Sequence, residues 1–150
     1  MLLRKDLIRV HGVFSSRDEA LRTTAEEFVA AGVAKDSYPQ AILDREKVYP
    51  TGLPAVAFGI AISHCDTEHV IESAIGVTVL DKPVEFEMMG GMPGGPLKVE
   101  IIFMLAIKDP NAQVPTLQKM MAVIQNKELL EDIKAAETAD AVYEVLAPAL

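Results

Sequence analysis

His64 closes the apolar run Gly59-Ile60-Ala61-Ile62-Ser63 and is followed directly by Cys65 and Asp66. A rigid strand that delivers an imidazole to its end is a common way for an α/β fold to present chemistry. His64 can act there as a general base or as a nucleophile toward phosphorus, since a neutral imidazole keeps one nitrogen lone pair free near pH 7. The second role also needs a cation to hold the phosphoryl oxygens. Arg45, in Leu43-Asp44-Arg45-Glu46-Lys47, offers a planar guanidinium fork that matches phosphate. Residue type and spacing alone favour an ordinary loop histidine and a solvated helix face.

The neighbouring groups admit other chemistries. Cys65 is a conceivable nucleophile, because an imidazolium stabilises a thiolate. Adjacent residues at a strand end point to opposite sides, however, which leaves His64 and Cys65 poorly aligned. The three histidines, His11, His64 and His69, together with Cys65 lack the spacing and the fourth ligand of a metal site. Gly90-Gly91 and Gly94-Gly95 lead into another apolar segment, not a helix, so a phosphate-cradling glycine fingerprint is missing. No metal and no cofactor are expected.

The elements that must position these groups are visible as patterns. Ser16-Arg17-Asp18-Glu19 reads as a capping box, with the Ser16 side chain holding a free N–H and Glu19 reaching back to the Ser16 N–H. Leu21, Ala25, Phe28 and Val29 then share one helical face, and Gly32 supplies a left-handed stop. Ser37-Tyr38-Pro39-Gln40 predicts a second helix reaching about Lys47, after which Pro50, Gly52 and Pro54 enforce a loop. Ala55–Ile62, Ala74–Leu80 and Val99–Ile107 are apolar without alternation, the pattern of strands covered on both faces. The glycines and prolines of Phe86–Pro96 predict a flexible surface loop, whose Met residues suit an adaptable contact. From Pro110 onward the spacing is helical, with stripes at Leu117/Met120/Met121/Ile124, Leu129/Leu130/Ile133 and Val142/Val145/Leu146. Helices, then three strands, then helices predict an α/β sandwich with helices on both faces of a central sheet.

Composition limits what such a fold can do. At 150 residues the chain is sized for one domain, 1–150, with no linker-like stretch. A formal charge of −8 excludes phosphate-backbone binding and anionic membranes, which both need clustered Lys and Arg, and leaves basic protein partners as the better match. One cysteine cannot make an internal disulfide, and Met1-Leu2-Leu3-Arg4-Lys5-Asp6 lacks a signal peptide's apolar core. The longest apolar run, Ile101 to Ile107, is too short to span a bilayer. A cytoplasmic protein without direct membrane insertion is expected.

Taken in register, these segments resemble the fructose/mannitol-type enzyme IIA domains of the bacterial phosphoenolpyruvate-dependent sugar phosphotransferase system. The resemblance rests on Gly59–Cys65, Asp44-Arg45-Glu46 upstream, Lys82–Phe86, Val99–Leu105 and the closing helices, all in the family's order. Tyr38–Ala41, Arg45-Glu46, Tyr49–Leu53 and His64-Cys65 followed by His69 are similar to the galactitol-type branch, where mannitol-type domains carry glycine in place of Cys65.

The resemblance implies a mixed sheet sandwiched between helices and a phosphocarrier function. His64 would accept a phosphoryl group from phosphohistidine on HPr and pass it to a cysteine of the cognate IIB component, which serves the membrane IIC component. Arg45 would hold the phosphoryl oxygens. Two positions depart from the mannitol pattern: Ser63 stands where proline is usual, and Gln113 where a second active-site histidine falls. Ser63 can help to position the phosphoryl group, and His69 is then the other imidazole near in sequence. Two alternatives stand beside transport of galactitol or a related polyol: a regulatory IIA-like phosphorylation sensor, and a cysteine-dependent enzyme using Cys65.

Overall fold

The computed structural model describes residues 2–91 and 93–150; Met1 and the loop residue Met92 lie outside them. Five strands form one mixed sheet in the order β1-β4-β5-β3-β2. These are β1 (Leu3–Gly12), β2 (Gly52–Pro54), β3 (Gly59–Ser63), β4 (Ala74–Phe86) and β5 (Leu97–Ala106). The β1/β4 and β3/β5 pairs are parallel, while β4/β5 and β2/β3 are antiparallel. Helices α1 (Arg17–Ala30) and α2 (Tyr38–Val48) precede β2, and α3 (Pro110–Ile124), α4 (Lys127–Ala135) and α5 (Ala139–Leu146) follow β5.

The sheet has two dry faces. Leu21, Phe28, Tyr38 and Ile42 pack with Ala61, Ile102 and Met104 on one, and Met120, Leu130, Ile133 and Val142 pack with Ile60, Ile62 and Phe103 on the other. The expected sandwich is therefore present. Burial on both faces explains why β3 and β5 read as unbroken apolar runs.

Two strands lie outside the three predicted runs: β2, where Gly52–Pro54 pairs with β3 in place of the expected loop, and β1. Leu3-Arg4-Lys5-Asp6-Leu7-Ile8-Arg9-Val10-His11-Gly12 lies at the sheet edge and carries four charged residues, which blunt the edge and hide the β pattern. Other boundaries also move. β3 starts at Gly59, four residues later than Ala55, and β4 continues past Leu80 to Phe86 because its pairing with β5 resumes at Val84 after a register shift. The Phe86–Pro96 segment is the expected surface connector, here joining an antiparallel β4/β5 hairpin through a 3-10 turn at Met89–Gly91.

The Ser16 cap holds with one correction, whereas Ser37 at the start of α2 makes no side-chain cap bond. The Ser16 hydroxyl accepts from the Glu19 N–H at 3.1 Å, but the Glu19 carboxylate accepts from the Ser15 N–H at 2.9 Å, one residue earlier than the box predicts. Gly32, at φ +80°, is the left-handed stop of α1.

Gly59 permits the central pairing that carries the site. A Cβ there would sit 2.2 Å from the Lys98 carbonyl oxygen, inside any tolerable contact. Gly59→Ala should therefore force β3 away from β5 and lower stability by about 2–3 kcal/mol, as overpacking does. Chemical denaturation checks this: the midpoint should fall with an unchanged slope, and a wild-type midpoint would show that the strand pair yields without cost.

Candidate functional site

The parallel β3/β5 pairing runs from Gly59 opposite Val99 to Ser63 opposite Met104, so both strands end at the same edge of the sheet. His64 emerges there. α3 starts at Pro110, just after β5, and places Gln113 in its first turn on that edge. Alternation along β3 sends Ile60 and Ile62 to the α3–α5 side and Ala61 and Cys65 to the α1/α2 side. Ser63, buried on the latter side, has a hydroxyl without a hydrogen-bond partner among the described residues.

One hydrogen bond sets the chemistry of His64. Its Nδ1 lies 3.1 Å from the Ile62 carbonyl oxygen. A carbonyl only accepts, so Nδ1 carries the proton and donates, leaving Nε2 with its lone pair. Burial pushes the imidazole below its ordinary value of 6.5; the Ile62 hydrogen bond opposes this, the Arg45 charge adds to it and Asp66 opposes it. The neutral, nucleophilic form is thus favoured at neutral pH.

Arg45 comes from the last turn of α2. Its guanidinium stacks on Tyr49 at 4.5 Å from the ring centre and lies 3.9 Å from Asp66, longer than a hydrogen bond. Its Nε is buried and has no partner among the described residues. The stack on Tyr49 is fixed from below. Buried Glu46 accepts from the Thr51 N–H and the Thr51 hydroxyl, each at 2.7 Å, so the turn after α2 holds Tyr49 against Arg45. Burial raises the Glu46 carboxyl, and the Thr51 bonds counter that rise.

A cleft of about 490 Å³ lies between α2 and the turn after β3, lined among others by Ser37, Gln40, Arg45, Cys65, Asp66 and His69. The fold thus brings Arg45 and His69 to one cleft, while His64 and Gln113 stand outside its lining. His69 is partly buried and its Nδ1 is 2.8 Å from the Ser37 hydroxyl. Burial pushes the Cys65 thiol up to about 12, with Asp66 and Glu68 adding to the rise. The thiolate is thus disfavoured at neutral pH.

Ser37, Tyr49, Asp66 and Glu46 were not singled out as site residues. The sequence pattern marks Ser37 as a helix start and places Glu46 on a solvated helix face. Only the Glu46-x4-Thr51 spacing across a Pro-bearing turn hinted at a side chain supporting its own loop.

The fold and site define a class: an α/β sandwich offering one neutral imidazole at a strand end within the field of one guanidinium. The family described as "Phosphoenolpyruvate-dependent sugar phosphotransferase system, EIIA 2" matches residues 1–148. The chain belongs to that family and is a component of the phosphotransferase system. It is 29% identical, over 120 residues, to the galactitol-specific EIIA component of Escherichia coli (strain K12), covering 80% of this chain and 79% of that protein. A nitrogen regulatory protein of Bradyrhizobium diazoefficiens is 27% identical over 137 residues, 89% of this chain and 84% of that protein. Among solved structures, the complex of enzyme IIA mannitol with phosphorylated enzyme IIB mannitol from Escherichia coli matches with a TM-score of 0.77 at 22% identity, covering 98% of this chain and 99% of that one. This likeness establishes the fold. No helix among the described residues is long and apolar enough to cross a membrane.

The electrostatics predict a pH response. Because the folded state disfavours imidazolium, His64 has no effect on stability above about pH 6.5 and costs stability as pH falls below it, where the unfolded chain binds the extra proton. Proton NMR should find the His64 midpoint below 6.5, and Arg45→Gln should raise it by removing a repelling charge. A midpoint above 6.5 in the wild type would contradict this account.

Proposed function

We propose that the protein is a phosphocarrier in which His64 Nε2 receives a phosphoryl group from phosphohistidine on HPr and delivers it to a cysteine of a cognate IIB component. The observation that carries this reading is the Ile62 carbonyl holding the proton on Nδ1, which leaves Nε2 as the reacting atom. In the first step the Nε2–P bond forms as the donor's N–P bond breaks, and the electron pair returns to the donor imidazole. In the second, the IIB thiolate forms an S–P bond and the pair returns to His64 Nε2. The proton on Nδ1 stays in place throughout.

Such transfers rely on positioning and on stabilising spread negative charge. Arg45 supplies the positive charge, and its buried, unpartnered Nε–H leaves a donor unspent. A carrier must also release its cargo: each ~1.4 kcal/mol of extra stabilisation confined to phospho-His64 slows onward transfer tenfold. Asp66, facing Arg45 at 3.9 Å, moderates the attraction for a resting phosphoryl group. Exposed Val48 and Tyr49 beside Arg45 give partners an apolar rim suited to short-lived complexes.

The likeness to the galactitol-specific component favours galactitol or a related polyol as the transported substrate, with membrane IIC reached through IIB and this protein working in the cytoplasm. The likeness to a nitrogen regulatory protein favours a second reading, in which the phosphorylation state of His64 is sensed by a target protein. Phosphate flow to IIB separates the two.

Incubation with phosphoenolpyruvate, enzyme I and HPr should place acid-labile phosphate on His64, dischargeable by IIB. His64→Ala should abolish the label, and equal labelling of that variant would overturn the proposal. Arg45→Lys keeps the charge but loses the fork and should slow transfer about a hundredfold. Cys65→Ser should transfer at close to the wild-type rate; loss of transfer in a folded Cys65→Ser protein would revive the thiol chemistry.

A further inference from the structure

Ser37 occupies the N-cap position of α2, yet its side chain caps nothing. A serine there usually accepts from the N–H of the second or third helical residue, worth about 1 kcal/mol. The second residue here is Pro39, which has no N–H. The Ser37 hydroxyl instead lies 2.8 Å from His69 Nδ1.

That bond is not needed to hold the His69 turn in place. The His69 carbonyl already accepts from the Lys35 N–H at 2.9 Å, and the Ile71 and Glu72 N–H groups donate to the Val33 carbonyl at 2.8 and 3.0 Å. Ala34 and Val70 form a β-bridge between the same segments. With the backbone docked by these contacts, the Ser37 bond orients the ring. If the hydroxyl donates to Nδ1, the proton of neutral His69 resides on Nε2. The exposed Glu68 carboxylate lies 3.8 Å from Nε2, which favours Nε2–H but is too distant to occupy it. The His69 imidazole and the Arg45 guanidinium line one cleft.

We infer that His69 Nε2–H and Arg45 form an oxyanion subsite that holds phosphoryl oxygens during transfer, with Ser37 as the positioning residue that sets the His69 tautomer. The choice of phosphoryl oxygens as the ligand rests on the reading of His64 as the acceptor. Asp44 and Asp66 line the same cleft, so a free anion is held weakly. Weak binding suits a site that supports a passing group. A neutral donor such as Nε2–H also adds stabilisation where charge develops without creating a deep well for the resting phosphoprotein.

Transfer from phospho-HPr tests the assignment. His69→Phe keeps the ring bulk without the donor, and should lower the maximal rate of His64 labelling about a hundredfold with little change in KM. His69→Gln restores an N–H donor and should recover most of that loss. Ser37→Ala should slow labelling several-fold in the wild type but add nothing in the His69→Phe background, because both act through one group. A wild-type rate for His69→Phe, or a Ser37→Ala loss that persists fully in that background, would overturn the subsite.

A second measurement does not depend on HPr. Titration of the unphosphorylated protein with inorganic phosphate should shift the His69 ring protons saturably, with a Kd on the order of 10 mM, and Arg45→Gln should abolish the shift. Absence of that shift in the wild type overturns the subsite. A saturable His69 shift in a wild-type protein that HPr never labels would instead leave the anion subsite standing and remove the carrier reading.

Discussion

The hydrogen bond from His64 Nδ1–H to the Ile62 carbonyl is the point on which fold and chemistry depend together. It exists because β3 stops at Ser63, freeing the imidazole to turn back onto the last residues of the strand. β3 in turn is held by parallel pairing to β5 on one side and by β2 on the other, with helices sealing both faces. A strand fixed from four directions has little freedom to tilt, so the unprotonated nitrogen is aimed by the whole sandwich. The close approach of Gly59 to Lys98 lets that pairing begin.

The second group at the site has a different support. Arg45 sits on a helix end, where a long side chain has many rotamers, and the structure restricts it by stacking on Tyr49. The restriction comes from Glu46, buried and bonded twice to Thr51, which shapes the turn that carries Tyr49. Burying a carboxyl is costly unless its oxygens are satisfied, and here the same two bonds that satisfy it also build the site. The acidic character of the chain is consistent with this arrangement. The Arg45 guanidinium faces Asp66 at 3.9 Å, so the positive field at the site is moderated by a carboxylate.

Much of this was legible beforehand because it follows from local rules. The apolar runs of β3 and β5, the Ser16 cap and the Gly32 stop depend on neighbours within a few residues; the cap and the stop are where the pattern places them, and the two strands lie within their runs to a few residues at the ends. The edge strand β1 was not legible, because edge strands tolerate charge and Arg4, Lys5, Asp6 and Arg9 mask its β character. The extension of β4 through Asp81-Lys82-Pro83 was hidden for a similar reason: those residues are exposed at a register shift, and only renewed pairing at Val84 shows that the strand continues.

The sequence by itself determined that an imidazole follows a buried strand, that an arginine lies near the end of a helix upstream, and that both belong to a helix-covered α/β sheet in the enzyme IIA order. Tertiary structure alone decided which nitrogen of His64 is free, since that depends on a carbonyl two residues back and on where the strand ends. It likewise decided that Ser37 addresses His69 across 32 residues and that Arg45 and His69 share a cleft. Periodicity fixes which face a residue occupies, because that is a property of the local backbone. Tautomer, partner and shared cleft depend on distances between segments far apart in the chain, and only packing sets those.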